Sequence, residues 1–262
     1  MTKIRFVVPY NATKSRLLAP FSKRHATKYQ VAQQPLAIQL VARHIVISDD
    51  DKLLFVQNSK SGCTSASHLI FEHNNGYTFD GKIHKPAANL KRGLHDWDLT
   101  KRLLSSPEAY RFTIVRDPIK RAVSAFKDFF VEKQNPASDW FAKPIRAMGY
   151  DDSKDIEDNF DAFLDFVTES MRQSATLTDP HFRCQTHNVA WGYIDYNRVC
   201  RLENYADEMR AVFTEAGLEL PLGGQNLVSK KNTTKSVSFT PSNRQIDRIK
   251  TIWADDFRAF DY

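Results

Sequence analysis

Cysteine is scarce in this chain, with three residues among 262 and no C-x-x-C pair. This pattern argues against a zinc site and against a fold held together by disulfide bonds. Long apolar runs are also lacking, and none approaches the roughly 20 residues that a membrane-spanning helix needs. No segment near Met1 resembles the apolar core of a signal peptide. We therefore expect a reduced, soluble, cytoplasmic protein without an integral membrane segment.

Internal repeats and low-complexity segments are absent from the sequence, and the charge is nearly balanced. Lysine plus arginine exceed aspartate plus glutamate by only 37 to 31, and the sequence pI is about 9.1. A small excess spread along the chain favours small anionic ligands or acidic substrates over nucleic acid. Because 42% of the residues are hydrophobic, the chain can bury a full core. We expect an N-terminal arm over residues 1–35, or a packed layer there, and one domain over residues 36–262.

Residues 53–74 combine a predicted strand, a polar loop and a helix. The segment begins with the β-prone run LLFV and continues through the loop QNSKSGCTS. In such a unit the loop amides and the helix N-terminus hold an anion, and Lys60 adds a full positive charge. Gly62 lets the backbone approach a bound group, and the Thr64 and Ser65 hydroxyls donate to phosphate oxygens or cap the helix. The predicted phosphate contacts are Lys60, Ser61, Gly62, Cys63, Thr64 and Ser65.

This loop lacks the first glycine of the nucleoside triphosphatase pattern G-x-x-x-x-G-K-[ST]. Position 54 is leucine, and Gly62 follows Lys60 instead of preceding it. A nucleotide kinase would also need an aspartate at a strand end for magnesium, and Asp117 is poorly placed for this because it precedes Pro118 at a predicted helix start. Taken alone, the loop is also compatible with an ordinary turn that carries a surface lysine.

A second strand–loop–helix unit is predicted at residues 111–126. A β-branched run ends at Arg116, Pro118 occupies the first turn of the helix, and Asp117 can cap it. Two such units imply a parallel sheet, in which ligands bind at the carboxyl edge of the strands. We expect Arg116 and Ser124, which lies two turns into the helix, to bind a second phosphate group. An ion pair between Arg116 and a neighbouring acid is the alternative.

The segments QNSKSGCTSASHLI and TIVRDPIKRAVSAF resemble the 5′-phosphosulfate loop and the 3′-phosphate motif of sulfotransferases that use 3′-phosphoadenosine 5′-phosphosulfate (PAPS). The closer similarity is to the membrane-type carbohydrate sulfotransferases and their bacterial relatives, whose motifs are approximately K-x-x-x-[ST]-[ST] and R-[DN]-P-x-x-R-x-x-S. Weaker similarities follow at residues 179–183 and 196–203. The second motif is complete here, with Arg116, Asp117, Pro118, Arg121 and Ser124.

This resemblance implies a P-loop-type three-layer α/β fold with a central parallel β-sheet flanked by helices. It also implies PAPS as the donor, no required metal, and sulfuryl transfer to a hydroxyl or amine of a carbohydrate or small polar acceptor. Lys60 would stabilise the charge that develops on the bridging oxygen, and a histidine or glutamate would take the acceptor's proton. His84 is our choice of base, because an ordinary histidine pKa of about 6.5 suits neutral pH. The alternatives are His95, His181 and Glu72.

Other roles implied by the resemblance each have a plain structural alternative. Lys230 and Lys231 would close over the nucleotide, or form a solvated charge run. Arg121 would add to the 3′-phosphate contact, or pair on the surface of its helix. Trp140 and Phe141 would line the acceptor cleft, or lie in the core. The alternative functions are a P-loop nucleotide kinase and a non-catalytic nucleotide- or polyanion-binding protein.

Outside these motifs, the spacing of apolar residues predicts further elements. Residues 77–106 and 134–153 are predicted to be largely irregular, and we expect residues 77–106 and 134–155 to contribute to the acceptor pocket. A single last helix is predicted to start at residues 240–242. The other predicted elements are strands at residues 44–47 and 198–202 and helices at residues 98–104, 156–171 and 205–217.

Overall fold

A computed structural model of the chain describes residues 4–221 and 238–262. The strands are β1 (Ile45–Ile47), β2 (Leu53–Val56), β3 (Tyr110–Val115) and β4 (Arg198–Arg201). The helices are α1 (Ala12–Leu18), α2 (Lys23–Ala32), α3 (Leu36–Val41), α4 (Cys63–Asn75), α5 (Trp97–Ser105), α6 (Pro118–Phe126), α7 (Ser138–Arg146), α8 (Ile156–Ser174), α9 (Gln185–Asn188), α10 (Tyr205–Glu215), α11 (Asn243–Ile252) and α12 (Ala254–Phe260).

These elements are distributed over two compact units. The first, which we call the sheet unit, comprises residues 9–115 and 187–221 of the described chain. The second, which we call the aromatic unit, comprises residues 4–8, 116–186 and 238–262. Each unit has a hydrophobic core of its own, and each is described by itself below.

The sheet unit is built on a four-stranded sheet with the order β1-β2-β3-β4. At one edge β1 pairs antiparallel with β2, with Ile45 opposite Val56. The pairs β2–β3 and β3–β4 are parallel, with Phe55 opposite Phe112 and Ile114 opposite Cys200. The parallel sheet predicted from the sequence is therefore confirmed, and the strand predicted at residues 44–47 is its antiparallel edge strand.

Helices cover both faces of this sheet. Successive side chains of a strand point to opposite faces, so β2 contributes to two cores. Leu53 and Phe55 pack with side chains of α4 and α10, whereas Leu54 and Val56 pack with side chains of α2, α3 and α5. All four side chains are fully buried. The result is the predicted P-loop-type α/β arrangement, with a central, mostly parallel sheet between helical layers.

The N-terminal residues contain two helices, α1 and α2, and some of their side chains are buried. Val31 of α2 is fully buried in the core of the sheet unit. Ile4 is buried in the aromatic unit, where the N–H of Val7 also donates to the carbonyl of Leu177 at 2.8 Å. The division into an arm over residues 1–35 and a domain over residues 36–262 stays a prediction.

The aromatic unit is organised around packed phenylalanine rings from α6, α8 and the segments that connect the helices. Phe129 and Phe182 meet edge to face with ring centroids 4.9 Å apart, and Phe126 and Phe160 do so at 5.2 Å. Edge-to-face contacts bring the positive edge of one ring to the negative face of the other. The indole N–H of Trp253 donates to the carbonyl of Phe182 at 2.8 Å, which ties the C-terminal helices to this core.

Two predictions about this unit are wrong. Residues 138–146 form α7 instead of a loop, with Pro144 inside the helix. Proline normally disfavours a helix interior, but Phe141, Pro144 and Ile145 are all buried, and their packing outweighs this preference. The single last helix is two helices, because Trp253 leaves helical geometry with φ −110° and ψ 32° between α11 and α12.

Residues 4–221 and 238–262 contain neither a membrane-spanning helix nor a cluster of metal-ligating side chains. No helix there combines the length and the apolar character needed to cross a bilayer. Within the same residues, no group of three or more His, Cys, Asp or Glu side chains is arranged to hold a metal ion.

Candidate functional site

The loop between β2 and α4 has the backbone of an anion cradle. Lys60 and Gly62 both adopt left-handed conformations, with φ 67° and φ 77°. A Cβ atom on Gly62 would lie 2.6 Å from Cδ1 of Leu202, so the backbone conformation favours glycine, and a larger residue would displace the end of the Leu202 side chain. The helix α4 begins immediately afterwards at Cys63. The first-turn N–H groups of a helix have no intrahelical acceptor, and together with the helix dipole they attract an anion.

Buried side chains fix the start of this loop. Asn58 is fully buried, and its Nδ2 donates to the carbonyl of Ile114 in β3 at 3.0 Å. Its Oδ1 accepts from Nδ2 of Asn188 at 3.1 Å. Ser61 is also fully buried, and its N–H donates to the carbonyl of Asn58 at 3.2 Å. Ser61 therefore shapes the turn, whereas Thr64 and Ser65 are the exposed hydroxyls of the loop.

The side chain chosen from the sequence as the base lies against this loop. Nε2 of His84 and Oγ1 of Thr64 are 3.0 Å apart and form a hydrogen bond. His84 follows Ile83, which is buried in the core beneath α4 and anchors the segment. Partial burial lowers the pKa of His84, and the positive charge of Arg92 lowers it further. A lowered pKa keeps the imidazole neutral at pH 7, as a proton acceptor must be.

The alternative bases have different surroundings. His95 is an exposed side chain just before α5, and Glu72 lies on α4 more than two turns beyond Thr64. His181, in the aromatic unit, is hydrogen-bonded through Nδ1 to Asp179 at 2.7 Å. Burial would raise the pKa of Asp179, but the bonds from His181 bring it below its ordinary value. His181 thus has a structural partner, and His84 is the candidate that contacts the phosphate loop.

The second predicted phosphate corner begins where β3 ends. Arg116 follows Val115, and the carboxylate of Asp117 accepts from the N–H groups of Ile119 at 2.7 Å and Lys120 at 3.2 Å. The capping of α6 by Asp117 is therefore confirmed. Ser124 is half-buried on the same helix. The main chain of Arg116 is held by a side chain that the sequence did not suggest, as described in the last section of the Results.

Arg121 is not a surface residue, so the expectation that it pairs on the surface of α6 is wrong. Its side chain is 1% exposed. Nη1 donates to the carbonyl of Arg183 at 3.0 Å, and Nη2 donates to the carbonyl of Pro180 at 2.9 Å. These bonds commit much of the guanidinium to the main chain of the segment after α8. A direct contact between Arg121 and a 3′-phosphate stays a prediction.

The remaining candidates are two aromatic residues of α7 and two lysines that lie outside the described residues. Phe141 is 1% exposed and belongs to the aromatic core, so it does not line a cleft. Trp140 is 49% exposed, and the Arg5 guanidinium carbon lies 3.5 Å from the centre of its ring. Trp140 borders a groove of about 1010 Å³ along α7 and α8. Lys230 and Lys231 fall outside the described residues.

Lys60, Gly62, Thr64 and His84 thus lie in the sheet unit, where Thr64 and His84 are in contact, and Arg116, Arg121 and Ser124 lie in the aromatic unit. Burial also raises the pKa of Cys63, and the charge of Lys60 opposes this shift. Sequence analysis did not find Asn58, although it lies in the quoted loop, because nothing in the local pattern marks it as buried.

Comparison with known proteins gave one family and several relatives. A sequence profile of the sulfotransferase family matches residues 43–262. Carbohydrate sulfotransferase 10 of Xenopus laevis is 28% identical over 254 residues, which cover 86% of this chain and 68% of the relative. The human carbohydrate sulfotransferase 10 is 27% identical over 263 residues, with the same coverage. Carbohydrate sulfotransferase 11 of Rattus norvegicus is 23% identical over 244 residues, covering 84% and 67%. No solved structure gave a significant match.

Proposed function

Because this chain belongs to the sulfotransferase family, we propose that it transfers a sulfuryl group from PAPS to a hydroxyl or amine of a carbohydrate or small polar acceptor. The observation that carries this proposal is the hydrogen bond between His84 and Thr64, which puts the His84 imidazole beside the predicted phosphosulfate loop. The relatives are named carbohydrate sulfotransferases, and this supports a carbohydrate acceptor.

PAPS carries phosphate groups at two positions, and we assign each of them to one of the predicted phosphate contacts. The first-turn amides of α4, with Lys60 and the Thr64 and Ser65 hydroxyls, would hold the 5′-phosphosulfate. Arg116, with the Ser124 hydroxyl, would hold the 3′-phosphate. Arginine suits this role because its planar guanidinium donates two parallel hydrogen bonds to phosphate oxygens. When bound, PAPS supplies an activated sulfuryl group on a nucleotide leaving group.

Two residues of the sheet unit would take up the acceptor's proton and stabilise the charge that develops on the leaving oxygen. His84 accepts the acceptor's proton at Nε2 as the bond between the acceptor oxygen and sulfur forms. The bond between sulfur and the phosphate oxygen breaks, and the ammonium group of Lys60 stabilises the negative charge left on that oxygen. His84 and Lys60 act through their position and charge, so most of the rate enhancement would come from holding these two side chains in place before the reaction.

Thr64 would connect binding of the donor with the availability of the base. Its hydroxyl can donate to Nε2 of His84, as the 3.0 Å distance allows, or to a phosphate oxygen. Donation to phosphate would free the Nε2 lone pair for the acceptor's proton. The base would then become available when the donor is in place, which limits proton abstraction without a sulfuryl group to transfer.

The test is transfer of labelled sulfate from PAPS to a panel of glycans and small polar acceptors. We expect the wild-type chain to label at least one acceptor, and Lys60→Ala to lose most of that transfer. Lys52→Ala is the matched control, because Lys52 is an exposed lysine in the turn before β2. Tight binding of adenosine 3′,5′-bisphosphate without any transfer would favour the non-catalytic binding protein. Phosphoryl transfer from ATP would favour the kinase.

A further inference from the structure

One buried side chain holds both main-chain polar groups of Arg116. Oε1 of Gln185 accepts from the N–H of Arg116 at 3.0 Å, and Nε2 of Gln185 donates to the carbonyl of Arg116 at 2.8 Å. Gln185 is fully buried. An amide that satisfies the donor and the acceptor of the same residue fixes the orientation of that peptide, and with it the direction in which the side chain leaves the backbone.

Gln185 is itself held by a buried carboxylate from the C-terminal helix α12. Oδ2 of Asp256 accepts from the N–H of Gln185 at 2.8 Å, and Oδ1 accepts from the N–H of Thr186 at 3.0 Å. Asp256 is fully buried. Burial raises its pKa, while the charge of Arg121 and the two amide bonds oppose that shift. A buried carboxylate is stable only when it is paired and hydrogen-bonded, so this arrangement constrains the backbone at residues 185 and 186.

The segment before Gln185 is fixed from a second direction. Arg121 of α6 donates to the carbonyls of Pro180 and Arg183, as described above. Residues 180–186 are therefore bound by α6 at one end and by α12 at the other. A series of buried hydrogen bonds runs from Asp256 to Gln185 and from Gln185 to the main chain of Arg116.

We propose that Gln185 and Asp256 are positioning residues for Arg116, and that through it they set the preference for a nucleotide with a 3′-phosphate over one without it. This inference rests on the proposed role of Arg116. A bidentate contact between guanidinium and phosphate depends on direction, and a displacement of about 1 Å can cost up to ~100-fold in a positioned interaction. When Gln185 is replaced, Arg116 keeps its charge, but the direction of its side chain is no longer fixed by the two main-chain bonds.

The test is the ratio of the Kd for 5′-AMP to the Kd for adenosine 3′,5′-bisphosphate, because this ratio isolates the contribution of the 3′-phosphate. We expect Gln185→Leu to reduce this ratio by about 10- to 100-fold, with little change in the Kd for 5′-AMP. Asp256→Asn, which keeps the size of the side chain and loses one of the two amide bonds, should reduce the ratio in the same direction. It also provides a second variant if Gln185→Leu does not fold.

Gln245→Leu is the matched control. Gln245 is another buried glutamine of the aromatic unit, and it donates to the carbonyl of Glu157 at 3.0 Å and accepts from the N–H of Ser242 at 3.0 Å. Its loss should lower the melting temperature and leave the ratio of the two Kd values unchanged. If Gln185→Leu also lowers only the melting temperature, the positioning role is wrong and Gln185 is purely structural.

Arg116→Ala separates this inference from the function on which it rests. If Arg116→Ala abolishes the preference for the 3′-phosphate and Gln185→Leu leaves it intact, the positioning role fails and the proposed function stands. If Arg116→Ala itself leaves the preference intact, the proposed role of Arg116 fails. A reduced ratio in Arg116→Ala, Gln185→Leu and Asp256→Asn together supports both.

Discussion

Oγ1 of Thr64 lies 3.0 Å from Nε2 of His84, so the first turn of α4 and the segment before Pro86 are joined by one hydrogen bond. Thr64 belongs to the loop that we propose to hold the 5′-phosphosulfate, and His84 is the proposed base. Both residues lie in the sheet unit. The predicted phosphate loop and the proposed base are therefore linked without any bound substrate.

We expect Thr64→Val to lower kcat/KM for PAPS by about tenfold or more, because valine keeps the branched shape but cannot donate to phosphate or to His84. Thr64→Ser is the control, since serine keeps the hydroxyl. Steady-state kinetics at varied PAPS check both variants. Equal kinetics of Thr64→Val and the wild type would show that the hydroxyl takes no part in the reaction.

The pH dependence follows from the lowered pKa of His84. A base must be neutral, so kcat/KM should fall as the pH drops through the His84 pKa. Because that pKa lies below the ordinary value of about 6.5, the acidic limb of the profile should also lie below 6.5. Arg92→Gln removes a positive charge that lowers this pKa, and should move the limb towards 6.5.

Lys91→Gln is the control for the pH experiment. Lys91 neighbours Arg92 in sequence, and its Nζ lies 2.5 Å from a carboxylate oxygen of Asp51. Its replacement should leave the acidic limb in place. A limb above 6.5, or one that Arg92→Gln does not move, would argue that His84 is not the titrating group.

Gly62→Ala should destabilise the fold and weaken nucleotide binding. An alanine at φ 77° costs about 1–2 kcal/mol in backbone strain, and its Cβ would also press on the side chain of Leu202. Gly76→Ala is the control, because Gly76 has φ 74° and a Cβ there would meet no atom within 4 Å. Denaturant unfolding and binding of adenosine 3′,5′-bisphosphate measure both effects.

Gly76→Ala should therefore show the backbone strain alone, with normal nucleotide binding. Gly62→Ala should show a larger loss of unfolding free energy together with weaker binding. If both variants lose the same stability and bind the nucleotide normally, close approach of the Gly62 backbone to the bound nucleotide is not needed.

Trp140→Ala tests whether the groove along α7 and α8 takes part in acceptor binding. Exposed aromatic faces stack on sugar rings, so we expect a higher KM for a carbohydrate acceptor and an unchanged KM for PAPS. Trp191→Ala is the control, since Trp191 is a tryptophan of similar exposure in the sheet unit. An unchanged acceptor KM in Trp140→Ala would remove this groove from consideration.

The parts of the fold that could be predicted are those with local signals. The loop at Lys60 and Gly62 follows a short β-prone run, and the cap at Asp117 precedes a proline in the first turn of α6. These signals act within a few residues of each other, so the sequence around them is sufficient. They predicted the strands β2 and β3 and the helices α4 and α6 that follow them.

The parts that could not be predicted depend on distant packing. Pro144 indicated a loop, and only the core that buries Phe141 and Ile145 explains why α7 forms. Gln185 lies 69 residues from Arg116 and 71 residues from Asp256 in the sequence, and no local sequence pattern predicts either contact. Tertiary structure decides such contacts, and one sequence does not show them.

The proposed role of His84 as the base of a PAPS-dependent sulfuryl transfer is tested most directly by single-turnover transfer with enzyme in excess over labelled PAPS. We expect His84→Asn to bind adenosine 3′,5′-bisphosphate normally but to transfer about 100- to 10,000-fold more slowly, whereas His95→Asn should transfer at the wild-type rate. Transfer by His84→Asn at the wild-type rate would contradict it.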